Sequence, residues 1–106
     1  MLIIYLAPSG PPREVSVIAQ STSSLSASWK EPAKDKQNGV IKNYTVCISQ
    51  SKDGPCFQEH TTIDKTLIID KLKSSTKYFV RVLASTKVGS GNFSESKARF
   101  TNTSKR

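Results

Sequence analysis

The sequence predicts an all-β chain folded as a seven-stranded, two-sheet antiparallel sandwich, and three observations carry that expectation. Short stretches of alternating apolar and polar residues recur about every ten residues, separated by turn chemistry rich in Gly, Pro, Asn and Ser. No stretch repeats apolar residues at helical spacing. Residues 72–84 (LKSSTKYFVRVLA) hold the best alternation in the chain, headed by Tyr78 six residues after an apolar anchor at Leu72. This is the layout of a tyrosine corner, in which the ring packs inward and its hydroxyl bonds backbone a few residues upstream.

Val15, Val17 and Ala19 alternate in the first strand and Leu25, Ala27 and Trp29 in the second, with polar residues 21–24 turning the chain between them. Glu31-Pro32 ends the second strand, because proline removes a ladder donor. Residues 33–39 (AKDKQNG) read as a charged loop. In the third strand Tyr44, Val46 and Ile48 share one face, and Asn43, Thr45 and Cys47 the other, outward one. The odd step from Ile41 to Tyr44 marks an irregularity where that strand starts. Residues 50–55 (QSKDGP) are turn chemistry with Asp53-Gly54 at the tip. A weaker fourth strand follows over 57–62, and a fifth over 66–72 carries Leu67, Ile69 and Leu72 inward. In the sixth, Tyr78, Val80, Val82 and Ala84 take the core parity, with Phe79, Arg81 and Leu83 opposite. Residues 87–91 (KVGSG) form a glycine hairpin loop. In the last strand Ser96, Ala98 and Phe100 alternate against Lys97, Arg99 and Thr101.

A chain of 106 residues is one domain, able to bury between about 60% and 70% of its unfolded surface around a single core. The expected division is a leader or inter-module linker at 1–10, the domain at 11–102, and a tail or linker at 103–106. No run approaches the ~18 apolar residues of a membrane span, so this segment is not expected to insert into a membrane itself. Residues 1–6 (MLIIYL) lack the basic region and length of a signal peptide and are excluded from the fold, while 7–12 (APSGPP) read as a semi-rigid linker. Sixteen Lys and Arg against eight Asp and Glu give a net charge of +8. That surplus is scattered from Arg13 to Arg106 with no dense run, which suits a solvated surface rather than a nucleic-acid arm. His60 is the only histidine, and no nucleophile or ligand cluster accompanies it, so neither catalysis nor a metal or cofactor is expected.

Three of the four asparagines head glycosylation sequons, at Asn43-Tyr44-Thr45, Asn92-Phe93-Ser94 and Asn102-Thr103-Ser104. The two cysteines, Cys47 and Cys56, flank the loop of a hairpin, and an even count at short spacing in a small all-β chain suits a disulfide. Both signals point to an extracellular chain, cell-surface or secreted.

These elements fall in an ordered set: Pro12 then Val15, Trp29-Lys30-Glu31-Pro32, Gly39-Val40-Ile41, Tyr44-Thr45-Val46, Ile69, Leu72, Tyr78-Phe79-Val80-Arg81-Val82, Ala84, Gly89-Ser90-Gly91 and Ser94. In that order they resemble a fibronectin type III domain, from about residue 11 to residue 101. An immunoglobulin domain usually has a cysteine pair bridging its sheets and its tryptophan on the third strand; here Trp29 sits on the second and no cysteine lies near Tyr78. The resemblance implies an immunoglobulin-like sandwich with Trp29, Tyr44, Ile69, Leu72, Tyr78, Val80 and Val82 in the core. It also implies a non-catalytic extracellular interaction or spacer module in a tandem array. Hosts of such arrays include receptor-type tyrosine phosphatases, neural adhesion molecules, cytokine receptors and matrix proteins. Partners are then another protein or neighbouring type III modules. Two alternatives stand beside this: a matrix module binding glycosaminoglycan such as heparan sulfate, and an intracellular structural type III module. The family's Arg-Gly-Asp integrin motif is absent from residues 87–91, and the family does not generally carry the Cys47–Cys56 bond.

The candidate partner face is Phe79, Arg81, Leu83, Lys97 and Arg99, all expected to point outward from the last two strands. Arg81, Lys97 and Arg99 would make a basic stripe for an acidic partner, or a solvated surface whose long stems cover apolar area. Phe79 and Leu83 are either contacts for a ligand or adjacent module, or are covered by the loop after Cys56.

Overall fold

The computed structural model describes residues 6–103, which form two antiparallel sheets. In chain order the elements are β1 (Arg13–Ala19), β2 (Leu25–Lys30), the one-turn helix α1 (Lys34–Gln37), β3 (Asn43–Ser49), β4 (Gln58–Thr62), β5 (Thr66–Ile69), β6 (Lys77–Ser85) and β7 (Lys97–Phe100). One sheet has three strands in the order β1-β2-β5, the other four in the order β4-β3-β6-β7. The seven strands and two sheets are those the alternation predicts. The helix is a departure, because a single turn is too short to show a helical period; it closes on Asn38 in the left-handed conformation (φ 57°).

The alternation of apolar residues becomes a shared interior. Leu25, Ala27 and Trp29 from β2 and Val15 and Val17 from β1 meet Tyr44, Val46 and Ile48 from β3 and Tyr78, Val80, Val82 and Ala84 from β6, with Ile69 and Leu72 closing one end. All seven residues assigned to the core by the resemblance are in it, the most exposed being Leu72 at 7%. Trp29 and Tyr44 pack edge to face across the two sheets, with ring centroids 5.6 Å apart. Burial raises the Tyr44 hydroxyl above its usual ionisation range, and the carboxylate of Glu31 adds to the shift.

The tyrosine corner is formed. The backbone N–H of Lys73 donates to the Tyr78 hydroxyl at 2.9 Å, and Tyr78 is 1% exposed. The turn that makes this possible places Lys71 (φ 62°) and Ser75 (φ 52°) in the left-handed region. Thr101 ties the same turn to the chain end, its hydroxyl donating to the carbonyl of Lys73 and accepting from the N–H of Thr76. Replacing Tyr78 by Phe keeps the ring and removes the acceptor, leaving a part-buried N–H unpaired. We expect Tyr78→Phe to lower the unfolding free energy by about 1–2 kcal/mol in urea denaturation. An unchanged midpoint would show that the corner bond adds nothing to the packed ring.

The start of the segment read as a semi-rigid linker is hydrogen-bonded to the domain. The N–H of Leu6 donates to the carbonyl of Asn38 (3.1 Å) and that of Ser9 to Lys36 (2.8 Å). The Asn38 side-chain amide donates to the carbonyl of Ala7, and the Thr86 hydroxyl to that of Leu6. Gly91 permits this approach, since a Cβ there would lie 2.8 Å from the carbonyl oxygen of Pro8. Residues 6–10 are therefore clamped between the α1 loop and the loop after β6. The apolar run expected at 1–6 lies, except for Leu6, outside the described residues.

Candidate interaction face

The outer face of the four-stranded sheet carries most of the residues singled out in the sequence. On β3 and β6 it presents Asn43, Thr45, Cys47 and Ser49 opposite Ser85, Leu83, Arg81 and Phe79, in that register. Cys47 is thus on the outward parity, as expected, but it is fully covered rather than exposed. The cover is the chain between β3 and β4. Cys47 and Cys56 are joined in a disulfide with Cα atoms 5.4 Å apart, and the turn between them folds back through Asp53 (φ 56°) and Gly54, whose N–H donates to the Ser51 carbonyl at 3.0 Å. A Cβ at Gly54 would displace the Ser51 hydroxyl and crowd the Ser51 carbonyl at 3.3 Å, so the turn is tightest with glycine.

Arg81 lies under that turn. Its Nη2 donates to the carbonyl of Gly54 at 3.0 Å and lies 3.8 Å from Sγ of Cys56, while Nη1 sits 3.7 Å from a carboxylate oxygen of Asp53. The Phe93 ring covers the guanidinium at 4.9 Å. The same Asp53 oxygen accepts from the Ser96 hydroxyl at 3.0 Å, joining the chain before β7 to the turn. With its side chain only 13% exposed, Arg81 is a fastener between two loops, not a displayed charge. Its Nε is buried without a hydrogen-bond partner among the described residues, which suits a group placed by packing on a ring rather than by a full set of acceptors.

The expected basic stripe is not assembled. Across β6 and β7 the partners are Lys77 with Phe100, Tyr78 with Arg99, Phe79 with Ala98, and Val80 with Lys97. Residues directly opposite in a ladder share a face, so Lys97 and Arg99 lie on the side of Val80 and Tyr78, and Arg81 on the other. Alternation misassigns the parity because β7 is an edge strand exposed along its whole length, Phe100 included at 57%. Its apolar residues therefore do not mark the inner side. Leu83 is buried at 9% exposure, and Phe79 is half-buried with the Lys77 ammonium 5.3 Å from its ring centroid. Neither is the open apolar contact that one reading of their position allows.

Asp53, Phe93, Ser94 and Ser96 complete this face without having been marked for it by the sequence. The Ser94 hydroxyl accepts from the Val82 N–H at 3.0 Å while its own N–H donates to the Val82 carbonyl at 2.8 Å, so the chain ahead of β7 runs beside β6 and brings Phe93 over Arg81. The sequence signal is Asp53-Gly54, legible as a turn tip but not as an Arg81 partner. Of the sequon asparagines, Asn43 is half-buried at the start of β3, Asn92 is exposed, and Asn102 is exposed just past β7, with Ser104 of its sequon outside the described residues. His60 Nε2 pairs with the Gln58 side chain at 2.9 Å, and no group of three or more His, Cys, Asp or Glu converges among the described residues. Glu31 is held below the usual carboxylate range by its hydrogen bond and charge pairing with Lys34.

The fibronectin type III domain profile matches residues 10–99. The chain belongs to the fibronectin type III family. Over 88 residues it is 31% identical to the tyrosine-protein phosphatase Lar of Drosophila melanogaster, covering 83% of this chain and 4% of that protein. Over 91 residues it is 36% identical to the human cell adhesion molecule DSCAM, again 83% of this chain and 4% of the relative. The fold is also that of the chicken CNTN1 FN1-FN3 structure, with a TM-score of 0.77 at 24% identity over 91% of this chain and 31% of that one. This type III domain thus spans only a small fraction of the relatives it matches. Fibronectin type III domains are non-catalytic modules, and in CNTN1 three stand in series.

Proposed function

We propose that this type III domain is an extracellular interaction or spacer module of a cell-surface receptor or adhesion protein. The observation that supports this best is the Cys47–Cys56 bond sealed under the β3–β4 turn, with Arg81 packed against it. A bond of this kind is retained in oxidising compartments and lost in the cytosol. The exposed sequon asparagines Asn92 and Asn102 and the likeness to an adhesion molecule and a phosphatase add to the same reading. Because Ser94 is buried against β6, a glycan on Asn92 is added before that segment docks. The domain works in series: residues 6–10, clamped between two loops, set the direction in which the chain leaves toward a preceding module.

Intact-mass and peptide mass spectrometry of the domain secreted from mammalian cells tests this. The expected result is glycan at Asn92 and no free thiol. Unmodified sequons together with two free thiols would sink the proposal in favour of an intracellular structural module. A glycosaminoglycan-binding module is not favoured, since Arg81 is engaged internally and faces away from Lys97 and Arg99.

A further inference from the structure

The last sequon, Asn102-Thr103-Ser104, stands apart from the others because an exposed aromatic ring lies two residues ahead of its asparagine. That ring is Phe100, 57% exposed; at the same spacing Asn43 follows the half-buried Ile41 and Asn92 follows Ser90. Thr101, between Phe100 and Asn102, is buried at 3% exposure, so in extended chain the ring and the amide both stand on the opposite side. Both line a groove of about 470 Å³ along the free edge of β7, together with Ala19, Lys77, Arg99 and Thr103. The backbone at this point is held from two directions. The N–H of Asn102 donates to the carbonyl of Ser21 in the turn after β1, and its carbonyl accepts from the N–H of Ser75 in the turn before β6, each at 3.2 Å. The Asn102 side-chain amide makes no hydrogen bond among the described residues.

We infer that this groove seats the glycan of Asn102, with its first N-acetylglucosamine stacked on Phe100. The attachment is the ordinary one: Nδ2 of Asn102 bonds the anomeric carbon of the sugar and gives up a proton, and the lipid pyrophosphate of the oligosaccharide donor leaves. Three features select a sugar as the occupant. The first is chemical. A pyranose presents a flat face of C–H bonds, which suits the electron-rich face of an aromatic ring, and a rim of hydroxyls, which suits the donors of Lys77 and Arg99 in the same groove. The second is the tether. The sugar begins two residues from the ring, on backbone bonded to two turns, so little freedom is lost when it settles there. The third is the edge. β7 ends the order β4-β3-β6-β7 with all its residues exposed, leaving its outer backbone groups open to strand addition from another chain. A seated sugar covers Phe100 and that edge together. The inference rests on the extracellular reading and gives the Asn102 glycan a structural task.

The test uses the domain secreted from mammalian cells and trimmed with an endoglycosidase that leaves only the first N-acetylglucosamine on each asparagine. Proton NMR is expected to show the sugar-ring protons at Asn102 displaced upfield by the ring current of Phe100, and Phe100→Thr returns them to ordinary positions. Asn102→Gln and Ser104→Ala each remove this sugar, and each lowers the thermal midpoint by about 4–8 °C. In the Phe100→Thr background the same removals change the midpoint little, because no ring is left to cover. Phe100 is exposed, so that variant keeps the fold. Sugar protons without the upfield displacement overturn the inference. So does a midpoint that does not fall when the sugar is removed, or one that falls as far without the ring as with it. Sugar at Asn92 with none at Asn102 also overturns it and leaves the extracellular reading standing, whereas bare sequons with two free thiols overturn that reading as well.

Discussion

Arg81→Ala is expected to lower the unfolding free energy by about 2–3 kcal/mol, a fall in thermal midpoint on the order of 10–20 °C for a domain of this size. The substitution removes a charged hydrogen bond to the Gly54 carbonyl, the pairing with Asp53 and the stacking under Phe93 at one stroke. It also leaves the Gly54 carbonyl without that donor and uncovers Cys56. Arg81→Lys should recover little, since an ammonium cannot lie flat against the ring while reaching both the carbonyl and the carboxylate. Urea and thermal denaturation followed by tryptophan fluorescence provide the measurement. A change within about 0.5 kcal/mol, the range of ordinary surface substitutions, would return Arg81 to the role of a free surface charge.

Removing the disulfide should cost a similar amount. In Cys47→Ala/Cys56→Ala the unfolded chain regains the freedom of a loop of roughly ten residues, worth about 2–3 kcal/mol from chain entropy. The native state also loses the buried sulfur contacts at Cys47, which is wholly covered. Because the cross-link acts on one turn, the loss should have a local signature. Amide exchange at Gly54 and Phe57, whose N–H groups donate to Ser51 and Ile48, should accelerate more than exchange at Lys73, whose N–H caps the tyrosine corner. Equal acceleration at all three sites would mean that the bond stabilises the domain only globally. Stability unaltered by the double substitution would remove the disulfide from the account of this face.

The two substitutions share one structure, and they should not be additive. Arg81 donates to the carbonyl of Gly54, within the turn the disulfide closes, and its Nη2 lies beside Cys56. Once the turn is released, Arg81 has less to hold, so the triple variant should fall short of the sum.

Much of the fold was legible in the chain. Val15 and Val17, Leu25 to Trp29, Tyr44 to Ile48 and Tyr78 to Ala84 each alternate because one face of each strand is buried, and burial writes itself into a period of two. Tyr78 was legible for a further reason: its hydroxyl partner, Lys73, is local, so the corner is a property of one short stretch. The cysteine pair was legible for the same reason, with nine residues of separation across one hairpin.

The candidate face was legible only in part. Outward positions carry no such period, and what covers them is set by chain far away in sequence. Arg81 and Gly54 are 27 residues apart, and Asp53 and Ser96 are 43 apart. Leu83 and Cys47 are buried although their parity is outward, and Lys97 and Arg99 are exposed although their parity is inward. At the edge strand β7, both sides meet solvent, so polarity there no longer reports direction.

By itself, then, the sequence determined the sandwich, its core and the tyrosine corner, because these depend on burial and on contacts within a few residues. Tertiary structure alone decided that Arg81 fastens the disulfide-bonded turn. It also decided that the three basic residues part to two sides and that Phe100 and Asn102 share a groove with Ala19 of the other sheet. Those outcomes depend on register and on loops meeting over a sheet, and neither leaves a periodic trace in the chain.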